Sequence, residues 1–543
     1  MIGVVGITIY PASRKLPSLW ERKIKENIQS TFPVKFTELY HNDFIIQLCI
    51  NDKYQKNAKS TEIFIGKVND SHMFSVDDHG LLITLDDEQI IVNNDWLASL
   101  PLFYNKSTNV VSTFYNAVID SISFDQKGCN AYFRYGYSFQ GTTPFENVNF
   151  LMPNSTIKLR DGKCEIIKKP RFSGDILGLT KNKSTAKEII AEIKTYLDNK
   201  IDKQDKIVLP LSGGLDSRLL AGVVRNENVF AFTYSGNSKN YESVNASIVA
   251  KRLAIPWKRI PLTNFYGLMN QWVDIYGASE HAHGMYHIEF YRKICSENAY
   301  DLLLSGIFAD IWAGNNPVEI KSVSDIQKLG YSHGLNLSQD TFSELKNVED
   351  NSVLENQYLS ELRNEGLLTF DALNRIQMKI ILISYLMTLP RFFGLSTVTP
   401  FLNKHIAVKM LSLPEEDRRN RKWQKAILKD LGLEIKESWN PLKSNFVNNL
   451  DLLAYKASDF TNVKSIMHAT DLSCLFKEEW AGGDFDKVGE LSFLQETNMY
   501  LNSTRGVNRI MKQLNMGSRK LKNLRDLQVL FPLAYLKNKW EEE

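Results

Sequence analysis

The sequence predicts a multidomain chain of mixed α/β and α+β class: a β-rich antiparallel sandwich first, a doubly wound parallel sheet second, and a helical part last. Three observations carry that reading. Short apolar stretches broken by Asn, Asp, Gly and Pro fill the chain up to about residue 170. From Lys206 apolar strands alternate with stretches of helical period, and after about residue 320 helical period dominates. The 543 residues leave room for about two to four domains, each with its own core.

Taken in order, strands are expected at residues 2–10, 44–50, 81–85, 89–92, 102–104 and 156–159, which pack as an antiparallel domain over 1–170. Residues 171–185, with Ser173-Gly174-Asp175 and Lys181-Asn182-Lys183-Ser184, have the composition of a linker, and an amphipathic helix follows at 186–198. The second domain is placed at 186–448. After a strand from Lys206, further strands are expected at 229–234, 257–262 and 300–304, with a helix at 241–253 carrying Val244, Ile248 and Leu253 at helical spacing. Repeated strand–helix units imply a parallel sheet, whose ligands bind beyond the carboxyl ends of the strands. Helices are expected at 345–363, 368–389, 404–413 and 422–431, and residues 449–543 read as a helical extension.

A net charge of +3, from 65 basic and 62 acidic residues spread along the chain, gives no electrostatic case for nucleic acid or a membrane surface. Five cysteines without CxxC spacing indicate neither a disulfide framework nor a zinc site, so a reducing cytoplasm is expected. The apolar start lacks a basic leader segment, and no apolar run approaches the roughly 20 residues that span a bilayer. A soluble, unprocessed chain is expected.

The chemistry is concentrated in Ser212-Gly213-Gly214-Leu215-Asp216-Ser217, entered through the run from Lys206 to Leu211 and followed by a helical pattern. Two glycines let the backbone turn with its N–H groups unshielded, and a helix starting around Asp216 adds free donors and the positive end of its dipole. That makes an anion site. The Asp216 carboxylate would repel a bare phosphate, which argues for a divalent cation between the two. An ordinary strand-to-helix turn with a capping serine is the plain alternative. The loop resembles the SGGxDS pyrophosphate loop of the ATP pyrophosphatases, which split ATP between the α- and β-phosphates, and not the GxxxxGK[ST] loop.

Further stretches, in the same order, resemble the asparagine synthetase family, which also holds β-lactam synthetases, carbapenam synthetases and lasso-peptide cyclases. Met1-Ile2-Gly3-Val4-Val5-Gly6-Ile7 is similar to its MCGIxGI opening, residues 95–104 to its DRxGxxPLYY segment, and Leu151-Met152-Pro153-Asn154-Ser155 to its LPPG. Ser305-Gly306-Ile307-Phe308-Ala309-Asp310 is similar to SGxGADE, and Pro400-Phe401-Leu402-Asn403 to PFLD. The resemblance covers about residues 1–446. It implies an N-terminal Ntn-hydrolase-like glutaminase fold and a PP-loop ATP pyrophosphatase domain that adenylates a carboxylate and passes it to an amine.

Departures from the family narrow this expectation. Ile2 stands where glutamine-using members carry the nucleophilic cysteine, so the resemblance implies a domain without glutaminase activity. Ile307 and Ile311 replace two glutamates, and Ser396-Thr397-Val398-Thr399 replaces EVRVP, which makes aspartate an improbable substrate. By resemblance, Ser212, Gly213, Gly214 and Ser217 hold pyrophosphate, Asp216 and Asp310 hold Mg²⁺, and Leu209, Ser235, Gly236, Ser305 and Gly306 contact the adenylate. Asp310 could instead cap a helix. Lys443, in Lys443-Ser444-Asn445-Phe446, is similar to the KxGF lysine that stabilises the adenylate and the tetrahedral species, although Lys436 lies nearby and a solvated surface lysine is the alternative. Arg421 and Lys425 are further cation candidates. His281, His283 and His287 are read as substrate-pocket or surface residues, since zinc needs three or four converging ligands and no second cluster is evident. His287, Glu289 and Tyr385 are candidate bases by location. The expected cofactors are ATP and Mg²⁺, and the expected partners a small-molecule or peptide carboxylate and an amine, with a homodimer or pathway partner left open. The rival expectation is a degenerate synthetase that binds nucleotide or a partner without turnover; tRNA thiolation is disfavoured by near-neutral charge.

Overall fold

Between Val4 and Lys168 the chain folds into short strands: β1 (Val4–Pro11), β2 (Val34–His41), β3 (Phe44–Asn51), β4 (Glu62–Ile65), β5 (Leu81–Leu85), β6 (Ile90–Asn94), β7 (Phe103–Asn105), β8 (Val110–Ser112), β9 (Val148–Phe150), β10 (Ser155–Arg160) and β11 (Lys163–Lys168). The computed structural model describes residues 3–53, 62–66, 79–168, 183–224, 228–236, 241–314, 320–329, 333–335, 352–368, 371–435, 454–475 and 522–543. Ile2, residues 171–182, Lys436 and Lys443 therefore lie outside the described residues.

The early strands make two antiparallel sheets, ordered β2-β3-β1-β8-β7-β9 and β11-β10-β6-β5-β4. Successive side chains point to opposite faces, so β3 sends Phe44, Ile46, Leu48 and Ile50 into a core shared with Ile63, Ile83, Val92 and Ile157 of the second sheet. Cys49 faces the other way, into a core with Trp20, Ile24, Ile28 and, from later in the chain, Trp272 and Val273. Hydrogen bonds cross the same boundary: Asn116 Nδ2 donates to the Val273 carbonyl at 2.8 Å, Asn51 Nδ2 to that of Phe392 at 2.9 Å, and Trp96 Nε1 to that of Leu402 at 2.8 Å. The β1–β3 register shifts between Val4 and Gly6, and a Cβ on Gly6 would sit 2.6 Å from the Phe114 ring.

The third sheet is wholly parallel: β12 (Ile207–Pro210), β13 (Val229–Ser235), β14 (Trp257–Pro261), β15 (Leu302–Leu304) and β16 (Ser396–Val398), ordered β14-β13-β12-β15-β16. Ile207, Val208 and Leu209 are buried on both faces, as a central parallel strand requires. Strand order reverses between β12 and β15, and that switch point is where an open α/β sheet leaves a crevice. The preceding helix, Ala186–Lys200, starts from a capping box between Thr185 and Glu188. A single helix over 368–389 is not what forms. It divides into Asp371–Ile383 and Tyr385–Phe392, with Ser384 between them donating its hydroxyl to the Ile381 carbonyl. Among the described residues no helix is long and apolar enough to cross a membrane.

Candidate active site at the switch point

The turn after β12 holds its shape by local hydrogen bonds. Ser217 Oγ receives the Ser212 N–H at 3.3 Å and lies 3.1 Å from Ser212 Oγ, while the Gly214 N–H donates back to Ser212 Oγ at 3.2 Å. Helix Leu215–Val223 begins at Gly214, whose lack of a side chain leaves the first-turn N–H groups without a side-chain cap. Uncapped donors at a helix start are an anion site. Gly213 has φ of 72°, and a Cβ there would lie 2.5 Å from Asn245 Cβ. Gly213→Ala therefore meets strain and overlap together, and it is expected to lower the melting temperature and weaken ATP binding by at least about tenfold. Calorimetric titration with ATP checks this, and unchanged affinity would show that the turn does not hold phosphate.

Directly above lies a cavity of about 320 Å³. Pro210, Leu211, Ser212, Asp216 and Ser217 form one wall; Ser305, Gly306, Ile307, Phe308 and Asp310 form a second; Tyr234, Glu242, His287 and Tyr291 form a third. Two stretches some ninety residues apart thus converge, and a Cβ on Gly306 would sit 3.3 Å from the Asp216 carbonyl carbon. The other proposed contacts sit differently. Leu209 is fully buried one residue before the wall begins, Gly213 and Gly214 shape the turn, and Ser235 Oγ accepts from Arg259 Nη1 at 3.3 Å with Gly236 following it.

Asp216 and Asp310 flank one guanidinium. Arg421 Nη1 donates to Asp216 Oδ2 at 3.3 Å and Arg421 Nη2 lies 3.8 Å from Asp310 Oδ2. Gln424 Nε2, from helix Lys422–Asp430, donates to Asp216 Oδ1 at 2.8 Å. Burial pushes the Asp216 carboxyl above its ordinary range, and Arg421 and Gln424 pull against that. Helix capping is not the work of Asp310. The short helix Ala309–Ala313 is preceded by Phe308 at φ 69° without a side-chain cap, and the Asp310 carboxylate is 56% exposed. The donor set fits Mg²⁺: two carboxylates, Asp216 and Asp310, line one cavity. Magnesium is commonly held by one or two carboxylates plus substrate phosphates.

Sequence reasoning missed Gln424, Glu242 and Lys379. Glu242 follows the end of β13, a position that the strand-end rule could have flagged, and burial pushes its carboxyl up to about 7. The Lys379 ammonium is pushed down to about 8 by burial and then by Arg375, with Asp310 acting against both. Of the histidines, His287 reaches the cavity and its buried Nδ1 has no partner. His281 is not a surface residue: it is fully buried, stacked on His283 with centroids 4.3 Å apart, and its Nε2 lies 3.0 Å from Arg525 Nη1. Burial holds His283 down at about 4, and among the described residues no group of three or more His, Cys, Asp or Glu could hold a metal.

A parallel sheet with a phosphate-sized turn at its switch point defines a doubly wound, nucleotide-type α/β domain. Residues 197–435 match the family model for asparagine synthase. The two antiparallel sheets and the C-terminal helices lie outside the match. Among solved structures, the NH3-dependent NAD synthetase from Campylobacter jejuni subsp. jejuni NCTC 11168 is similar at 20% identity and a TM-score of 0.16. That likeness covers 24% of this chain and 56% of the other, about half its length, and is too slight to carry an argument. No curated protein matches the chain.

Proposed function

We propose that this chain is an AMP-forming amide synthetase that adenylates a carboxylate and transfers the acyl group to an amine, with no glutaminase of its own. The observation that supports it is the convergence of Ser212, Asp216 and Ser217 with Ser305, Gly306 and Asp310 on one cavity. A carboxylate oxygen attacks the α-phosphorus of ATP, the bond to the bridging oxygen breaks, and pyrophosphate leaves. An amine nitrogen then attacks the acyl carbon, AMP departs and the nitrogen gives up a proton. The uncapped N–H groups of Leu215 and Asp216 and the Arg421 guanidinium stabilise the charge that grows on pyrophosphate, each charge-assisted bond contributing about 1.5–3 kcal/mol. Bound at Asp216 and Asp310, Mg²⁺ would add Lewis-acid stabilisation of the same charge. Ile307 presents an apolar wall where the family carries glutamate, so the acyl substrate is recognised there by shape, while Glu242 and His287 offer polar anchors opposite.

The N-terminal sheets have no activated thiol among the described residues. Cys49 and Cys129 are fully buried, with their thiols pushed well up by burial, and the Cys164 thiol is pushed up to about 12. With Ile2 in place of a nucleophile, purified protein is expected to release no glutamate from glutamine above a buffer control.

ATP–pyrophosphate exchange across a panel of carboxylates, with hydroxylamine to trap acyl groups, tests the whole reading. Exchange that depends on one class of acid supports it. The rival reading, a nucleotide- or partner-binding module, draws on the loss of both glutamates at Ile307 and Ile311 and requires ATP binding without exchange for any acid. That second pattern would end the synthetase reading.

A further inference from the structure

Arg421 occupies an unusual position. Its side chain is 26% exposed and reaches the two aspartates at once, Asp216 at 3.3 Å through Nη1 and Asp310 at 3.8 Å through Nη2. Its backbone is left-handed at φ 54° and ψ 42°, and so is that of Asn420 before it at φ 54° and ψ 25°. Two consecutive residues other than glycine in that region are costly and persist only where the surroundings impose them. The surroundings are visible: a Cβ on Gly314, at the end of the Asp310 helix, would lie 2.2 Å from the Arg418 carbonyl oxygen, so the strained turn is pressed onto the element that carries Asp310.

We propose that Arg421 is the resident counter-ion of the Asp216–Asp310 pair, and that a divalent cation enters this site only together with phosphate, which takes over the guanidinium. This rests on the reading of the cavity as a metal–nucleotide site. The reason is charge. A cation arriving alone must either sit beside a guanidinium or expel it from both carboxylates into a partly buried position without a partner, and both cost free energy. A cation arriving on a polyphosphate brings its own acceptors for Arg421, and a guanidinium pairs with phosphate oxygens as readily as with carboxylates. Gln424 keeps Asp216 oriented through the exchange, since its 2.8 Å bond goes to Oδ1 while Arg421 holds Oδ2. Arg421 thus couples metal entry to nucleotide by direct contact with its phosphate.

The test is Mn²⁺ binding to the full-length protein, followed by electron paramagnetic resonance, with and without α,β-methylene-ATP. In wild type the analogue is expected to tighten Mn²⁺ binding by about a hundredfold, within the usual range of coupling between sites. In Arg421→Met, Mn²⁺ alone is expected to bind at least about tenfold tighter than in wild type, and the coupling to shrink by a similar factor. Arg421→Lys, which keeps the charge but cannot span both carboxylates, should fall between the two and guards against a folding artefact. If wild type shows the coupling and both variants show it unchanged, the counter-ion proposal falls while the metal–nucleotide site stands. Should wild type bind no Mn²⁺ even with the analogue, the site reading fails and this proposal with it.

Discussion

Asp216→Ala is expected to abolish AMP formation, a loss of about three powers of ten or more, with the fold intact. The carboxylate lies in the first turn of helix Leu215–Val223, faces the cavity and meets Arg421 and Gln424 rather than an apolar core. Removing it leaves the Gln424 amide short of an acceptor, at a cost of about 1–3 kcal/mol. Part of that returns, because burial already works against the charged form of Asp216. The melting temperature should therefore fall by no more than a few degrees while pyrophosphate exchange disappears. Asp216→Asn separates the two roles: it can still accept a hydrogen bond from Gln424 but carries no charge for a metal, so it should melt like wild type and be as inactive as the alanine variant. Retention of most exchange activity in the asparagine variant would remove the case for a metal-bridged phosphate at this turn.

The strand-to-helix turn was legible because its chemistry is local. Gly213, Gly214 and Ser217 act through backbone geometry within a few residues of one another, and so do the apolar runs that became β12 and β13. Central strands, buried on both faces, read as continuous apolar sequence. Two edge strands of the antiparallel sheets do not. Absent from the strands expected from sequence, β2 carries Lys35, Thr37 and Glu38 and buries only Val34, and no residue of β11 is fully buried, so neither presents an apolar run. The same limit applies at the site. Arg421, a cation candidate in the sequence, and Gln424 both reach Asp216 across more than two hundred residues, and nothing in the neighbourhood of Gln424 marks it for that contact. His281 shows the converse: expected as a substrate-pocket or surface residue, it is packed between Gly136, His283 and Arg525, with its imidazole pushed down by burial.

Lys443→Met is expected to leave ATP affinity nearly unchanged and to slow amide formation by about two to three powers of ten, comparable to losing one oxyanion donor. Lys443 lies outside the described residues, so the expectation rests on its similarity to the KxGF lysine and on the order in which charge develops. In the proposed reaction, negative charge before the first transfer sits on the triphosphate, which the turn after β12, Arg421 and the proposed metal would serve. After it, in the proposed reaction, charge moves to the acyl oxygen, for which the proposed pyrophosphate contacts supply no further cation. A compact ammonium on a flexible stem can serve both the adenylate and the tetrahedral oxygen. Arginine in its place should rescue only in part, because a planar fork cannot set its charge where the ammonium did. Single-turnover measurements on the methionine and arginine variants, beside ATP titrations, distinguish a binding role from one in the later step. Equal losses in ATP affinity and rate would move Lys443 into the nucleotide site, whereas a methionine variant with wild-type turnover would mean that the charge is supplied from elsewhere, with Lys436 the next residue to replace.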